Sequence, residues 1–452
     1  MTITAPTGAS LNVTALELDD IQAGTLRPRP DPYAGAYLAL RIDDRRDGQE
    51  LVRRLAAVVS PAAEVLDPLA QASLSVGFSF AGLQALGVPQ DSLDTFAPEF
   101  RQGMAARAEE LGDVGPSAPA QWERPLGSSD VHVVLVMLAP DVARFEATLA
   151  TARAALDRLP GIGRVWRQDV YSPHDGRNVL GFHDGISQPG VESSGVPGSN
   201  PHEALLKPGE FVLGYLNETG DVSPAPQPEV LGRNGSYLVF RKLYTDVAAF
   251  RRYFREQATS PAEEQALAAK LIGRWPSGAP LALAPDHDEP ELGADPDRNN
   301  AFLYGADDPQ GLACPVGSHA RRMNPRDAAV TGEVRLHRLI RRGASYGPQL
   351  PEGILDDDGG DRGLLFAAVN ANLARQFEFV QAQWGNDGKF IGAPDEHDPL
   401  IAAHDEHDQL TVPHKPIRRR LKGLPTFVVN RGGEYCFQPG IRALRWLGDR
   451  NT

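Results

Sequence analysis

Two cysteines, Cys314 and Cys436, are the whole thiol content of this 452-residue chain. That is too few for a disulfide scaffold or for a thiolate zinc or iron-sulfur centre, so reduced thiols are the default, with one bridge left open. Positive charge is scarce relative to negative: 45 Lys and Arg against 59 Asp and Glu give a formal charge of −14. Such a field repels polyphosphate and offers no basic footprint for nucleic acid or anionic lipid, whereas a neutral or cationic small partner is accommodated. No run approaches the roughly 20 apolar residues that span a bilayer. Residues 1–20 also lack a basic region followed by an apolar run and a cleavage site, so a cytoplasmic protein is expected. No glycine-rich phosphate loop follows the first strand-like segment, which argues against one long doubly wound sheet.

What is present is ordinary for a globular chain: 41% apolar and 23% charged residues, with 45 Gly and 38 Pro pointing to many ordered turns and long connections. The length predicts two or three domains. Residues 36–44 alternate as a strand and are followed by a charged helical stretch over 47–59. Residues 74–87 pass from strand-like alternation to a short helix, and 131–139 form a β-branched run before a helix over 142–159 capped by Asp141. The order returns in the second half: a strand at 236–246 with a helix over 247–257, a strand at 362–372 leading into an amphipathic stretch over 373–384, strands or close-packed loops at 426–440, and a terminal helix near 441–447. This repetition predicts two α+β units with antiparallel sheets and peripheral helices, divided between residues 190 and 210. Three stretches rich in acid and histidine, residues 284–300, 392–400 and 402–410, read as surface loops, because dense charge is not buried without partners.

Two segments carry too many rigid and ionisable residues to be simple connections. In NVLGFHDGISQPG, residues 178–190, Gly181 and Gly185 flank Asp184 and let backbone approach a flat ligand closely. That carboxylate is a base, a metal ligand or an Asx-turn cap, and the residues alone favour the turn. In GLACPVGSHARRMNPRD, residues 311–327, His319 stands beside Arg321, Arg322, Asn324 and Arg326. It can bind iron or zinc through one ring nitrogen while the other donates a hydrogen bond, with the arginines pairing carboxylates or propionates; spacing alone favours a structural histidine. HDEH, 404–407, and DEHD, 395–398, are cation-binding candidates that lack the helical HExxH spacing of a metal hydrolase.

Six ordered blocks place these segments in a wider pattern: LDDIQAGTLRP (18–28), GFHDGISQP (181–189), CPVGSHARRMNPRD (314–327), HRLIRRGASYG (337–347), RGLLFAAVNANLARQFEFVQ (362–381) and NRGGEYCFQP (430–439). Together they resemble the dye-decolorizing (DyP-type) haem peroxidase family through almost the entire chain. The resemblance implies two ferredoxin-like domains, residues 1–200 with a distal GxxDG loop and residues 201–452 holding most of the pocket for haem b, one per chain. It places the axial iron ligand on His319, the distal acid on Asp184 and the distal arginine on Arg341. It also puts Gly185, Ile186 and Ser187 beside the haem, Asn324, Pro325 and Arg326 around it, and Leu364 and Phe366 on its apolar wall.

The implied activity is reduction of hydrogen peroxide to water with oxidation of an organic donor such as a dye or phenol; a haem-binding or iron-handling protein with little turnover is the alternative. An aspartate with an ordinary pKa near about 3.9 remains a base in acid, so activity favouring acidic pH is expected. Tyr346, Trp384, Tyr435 and Trp446 are candidate electron carriers, with a structural role the simpler reading. The expected partners are peroxide and a small organic donor, with no nucleic acid and no membrane insertion; a homo-oligomer and enclosure in a protein compartment are left open. Three residues depart from the family pattern: Ala320, where a bulkier aliphatic residue is common, and Cys436 and Gln438, where aromatic or aliphatic residues are frequent.

Overall fold

The computed structural model describes residues 15–64, 71–173, 175–330, 332–405, 407–414 and 416–449. The leader-peptide expectation concerns residues 1–20 and so falls largely outside them, as does Glu406 of HDEH. In the first half, β1 (Ala34–Ile42), β2 (Ser73–Phe78), β3 (Val133–Ala139) and β4 (Ile162–Tyr171) alternate with helices Arg45–Ala56 and Val142–Leu156. In the second half, β5 (Ser236–Thr245) is followed by helices Val247–Gln257 and Pro261–Ile272. Short β6 (Ile340–Arg341) and β7 (Ala344–Tyr346) then precede β8 (Gly363–Asn370). A small hairpin, β9 (Gln409–Val412) with β10 (Arg419–Lys422), leads to β11 (Val428–Gln438) and the terminal helix Ile441–Gly448.

The large sheet runs β4-β1-β3-β2-β11-β5-β8-β6, with β7 also on β8, and its pairings are antiparallel. The order β4-β1-β3-β2 is that of a ferredoxin-like unit, and β11-β5-β8-β6 repeats it with β11 as fourth strand. The α+β fold is therefore the expected one, with the two half-sheets joined where Phe437 of β11 pairs with Phe78 of β2. The far edges also meet. β4 lies against β7, and the Ser345 amide donates to the Tyr33 hydroxyl at 2.7 Å, so the sheet curls into a barrel.

Burial on both faces explains why β3 reads as a continuous apolar run, and β1, read as alternating, is likewise buried along nearly its whole length. Leu38, Leu40, Leu135 and Met137 pack outward beneath helices Arg45–Ala56 and Val142–Leu156. Tyr37, Trp166, Leu238, Phe240, Leu365 and Cys436 fill the interior from both halves, with Trp166 stacked on Phe240 at 6.1 Å between centroids. The expected helix starts hold: Asp141 accepts from the Arg144 amide at 2.8 Å, and Asp246 from the Ala249 amide at 2.8 Å.

Two elements differ from expectation. β4 is an added edge strand whose Arg164, Arg167 and Asp169 face outward while Trp166 and Val170 are buried, a pattern weakened by so many charges. Residues 373–384 are helical but wound as π-helical turns, Ala374–Glu378 and Val380–Gly385, a geometry frequent beside functional sites. Both cysteines are buried and unbridged. No helix among the described residues is long and apolar enough to cross a membrane.

Candidate active site

A cavity of about 300 Å³ opens on the outer face of the second half-sheet. Its floor comes from alternate residues of three adjacent strands: Arg241, Leu243 and Thr245 of β5, Leu364 and Phe366 of β8, Val428 and Asn430 of β11. Strand alternation sends Leu365 the other way into the barrel interior, leaving Leu364 and Phe366 as apolar wall. Residues 178–189 close one side and the segment around His319 another. Of the residues singled out in the sequence, Asp184, Gly185, Ile186, Ser187, His319, Asn324, Arg326, Arg341, Leu364 and Phe366 line this one cavity. Pro325 does not; it sits in the turn between Asn324 and Arg326, whose positive φ of 57° redirects the chain.

His319 opens the short helix His319–Met323, and its Nδ1 lies 3.0 and 3.1 Å from the two carboxylate oxygens of Asp398. Asp398 is fully buried, and its Oδ1 also accepts from the Leu400 and Ile401 amides at 2.9 and 3.0 Å. Burial pushes this carboxyl up, but His319, Arg322 and the Ile401 amide more than offset it, so its pKa lies below the usual value. Arg322 anchors the supporting loop, donating to the carbonyls of Trp384, Asp387 and Glu396 at 2.8, 2.9 and 3.2 Å. The second acceptor for His319 therefore comes from residues 392–400, which the sequence reading assigns to the surface. That assignment is corrected: Glu396, Asp398 and Asp408 are all buried, each matched by partners. Glu396 accepts from the Thr411 amide at 3.1 Å, and His397 faces Asp408 at 2.8 Å. Among the described residues, no three His, Cys, Asp or Glu side chains converge to hold a metal ion.

On the opposite segment, Gly181 and Gly185 have φ of +88° and +80°, which fold the GxxDG loop tightly around Asp184. The Gly185 amide donates to Asp184 Oδ1 at 2.6 Å. Arg341 is held by β6 pairing with β8, by the Gln188 side chain accepting from its amide at 3.0 Å, and by donation from its Nη2 to the Ser187 carbonyl at 2.6 Å. Its accessible surface faces the cavity. Desolvation lowers its pKa, partly offset by the Asp184 carboxylate. The neighbouring Arg342 points into a separate, smaller cavity.

The rim bears guanidinium charge without matching acid. Arg326 donates to the Asn300 and Phe302 carbonyls at 2.9 and 2.5 Å and stacks on the Phe302 ring at 3.6 Å. Arg274, absent from the sequence-based candidates, donates to the carbonyls of Gly278 and Asn299 at 2.8 and 2.9 Å. Burial pushes Arg274 down to about 10 and lowers Arg326. Asn300 ties them together, accepting from both arginines at 2.7 and 2.9 Å while donating to the Ile186 carbonyl at 3.0 Å. Asn324 Oδ1 is buried without a partner among the described residues. A histidine braced by a buried carboxylate, an apolar wall and arginines lacking acids fit a flat, iron-bearing cofactor with acidic side arms.

The comparisons with known proteins agree with that class. Residues 38–160 match the family model described as the DyP dimeric alpha+beta barrel domain. The dye-decolorizing peroxidase msp1 of Mycetinis scorodonius is 30% identical over 400 residues, covering 82% of this chain and 76% of that protein. The dye-decolorizing peroxidase of Mycena epipterygia is 29% identical over 476 residues, covering 95% and 86%. A solved dye-decolorizing peroxidase in complex with 2,6-dimethoxyphenol superposes with a TM-score of 0.83 at 28% identity, over 96% of this chain and all of that one. The chain belongs to the dye-decolorizing peroxidase family and is an enzyme of that type, a family of haem enzymes.

Proposed function

We propose that the cavity holds one haem b through His319 Nε2 and that Asp184 and Arg341 act together on hydrogen peroxide. The observation that carries this reading is convergence: His319, already engaged at Nδ1 by Asp398, shares one cavity with Asp184 and Arg341 from two other segments. The chemistry a bound haem supplies is an iron that takes up peroxide and passes on electrons from an organic donor. Asp184 accepts a proton from one peroxide oxygen and returns it to the other as the oxygen-oxygen bond breaks. The Gly185 amide on Oδ1 leaves Oδ2 available for that proton. Arg341 keeps its charge at working pH and steadies the negative charge on the departing oxygen, with Ser187 fixing its Nη2.

Arg326 and Arg274 would pair with the propionates, with Asn324 beside them on the same lining. The backbone of Gly185, Ile186 and Ser187 would border a bound haem, Pro325 sets the turn that presents its neighbours, and Leu364 with Phe366 would exclude water from it. Residues 201–452 thus hold most of the cofactor, and the GxxDG loop of residues 1–200 reaches over it. In balance, peroxide takes two electrons and two protons to give two waters, and organic donors are oxidised. The names of the relatives and the phenol bound to one solved neighbour support dyes and phenols as those donors.

Rapid mixing of haem-loaded protein with peroxide tests the roles. D184N should slow the bimolecular reaction about 10²–10⁴-fold and R341A about 10²–10³-fold, with haem content retained. Wild-type rates in both variants would refute the distal assignments, and wild type that holds haem without reacting would favour haem handling over turnover.

A further inference from the structure

Arg342, beside the proposed distal arginine, lines a second cavity of about 30 Å³ with Arg27, Arg29, Tyr37, Ser75 and Gln438. Among the described residues, three guanidinium groups border it and no Asp or Glu lines it. The donors are only partly used. Arg27 gives its Nε to the Ala62 carbonyl at 2.5 Å and its Nη1 to the Ser194 carbonyl at 2.8 Å, which leaves its charge uncompensated. Arg29 lies over the Tyr33 ring at 3.8 Å. Arg342 is 8% exposed and spends Nη1 on the Arg341 carbonyl at 3.0 Å, while its Nε is buried without a partner among the described residues. Gln438 is 2% exposed, and its Nε2 is likewise buried without a partner. Unpaired donors and uncompensated cations in an apolar-walled space are strongly unfavourable unless an anion joins them. Burial and the nearby Arg29 push Arg342 down to about 9, which still leaves it charged near neutrality.

We propose that this cavity binds a small monovalent anion of halide size, received by Arg342 Nε and Gln438 Nε2 within the field of Arg27 and Arg29. The space is small, about 30 Å³, and suits one compact ion or a few waters. Gln438, one of the departures from the family pattern, is thereby given a function as an anion donor. The site lies directly behind the distal loop: a Cβ on Gly185 would be 3.2 Å from Arg29 Nη2, and Arg342 is covalently next to Arg341. An acidic molecule thus contains a local pocket of the opposite sign.

The test uses haem-loaded protein. Crystals soaked in sodium bromide should give an anomalous peak within hydrogen-bonding reach of Arg342 Nε and Gln438 Nε2. In solution, chloride should raise Tm over gluconate at equal ionic strength, saturating after a rise of about 2–4 °C. Q438E carries its own counter-charge to Arg342, so its Tm should be independent of chloride and no lower than wild type in gluconate; R342Q should also lose the chloride response. Absence of the bromide peak overturns the proposal, as does a chloride response that persists in both variants. The wild-type peak decides the matter if a variant fails to fold or if Tm is insensitive.

Discussion

Replacing Asp398 by Asn removes one negative charge 3.0 Å from His319 Nδ1 while keeping the shape of a side chain that has no solvent exposure. In the wild type, Oδ1 serves the Leu400 and Ile401 amides and the carboxylate accepts from the imidazole. An amide keeps its oxygen on those two backbone donors and turns its NH₂ toward Nδ1, so a donor faces a donor. The proposed axial ligand then loses the acceptor that makes Nε2 electron-rich, a loss that typically lowers metal affinity or activity about 10–100-fold. D398N should raise the iron reduction potential in a spectroelectrochemical titration and slow peroxide reaction by about that factor, with a stability loss of about 1–3 kcal/mol from the unsatisfied buried donor. D398A also strands both backbone amides and an imidazole, so it should cost about 3–5 kcal/mol of stability as well. Because the folded pKa of Asp398 lies below its ordinary value of 3.8, this pair stabilises the fold above that value and is lost only as pH falls through the depressed one. A D398N protein with full haem, unchanged potential and unchanged peroxide rate would refute the argument.

Two further outcomes follow from buried charge. R326Q and R274Q should each release haem to an excess of a haem-scavenging protein about 10–100-fold faster than wild type, since each removes a charge-assisted contact to a propionate; equal release rates would show that the acidic side arms lie elsewhere. Burial pushes Glu434 up to about 8, with the Gly127 amide at 2.6 Å the group that opposes this. Its stabilising neutral form is fully present below the ordinary value of 4.5 and is lost as pH rises through about 8. E434Q should therefore gain Tm relative to wild type between pH 5 and pH 9, approaching a difference on the order of 4 kcal/mol at the alkaline end; a pH-independent difference would contradict it.

The repeated strand and helix order was legible because the apolar runs are long and the caps are explicit, as Asp141 and Asp246 illustrate. Fusion of the two half-sheets was not, since it rests on a single residue pair, Phe437 with Phe78, that no periodicity marks. Around the cavity, Asp184 and His319 were singled out by their setting, next to glycine and within an arginine cluster, while their proposed roles, and Arg341 itself, came from the family resemblance. Asp398 was hidden by its company. A stretch of Asp395, Glu396, His397 and Asp398 reads as solvated, yet Arg322 and the Thr411 amide supply the partners that let it be buried. The apolar pair Leu400 and Ile401, separated from Asp398 by Pro399, is a local sign that this loop faces a cavity. Arg274 lay in a segment without any motif and Asn300 closed the acid-rich stretch 284–300 read as a surface loop, and only their convergence on Arg326 and Ile186 gives them meaning.

The central assignment, His319 as the residue that holds a haem in this cavity, is tested most directly by the absorption spectrum of protein produced with ample haem. Wild type should bind one haem per chain with a ferric Soret band of histidine ligation, and H319A should lose that signature or the haem itself. Unchanged haem content and an unchanged ferric spectrum in H319A would contradict the account.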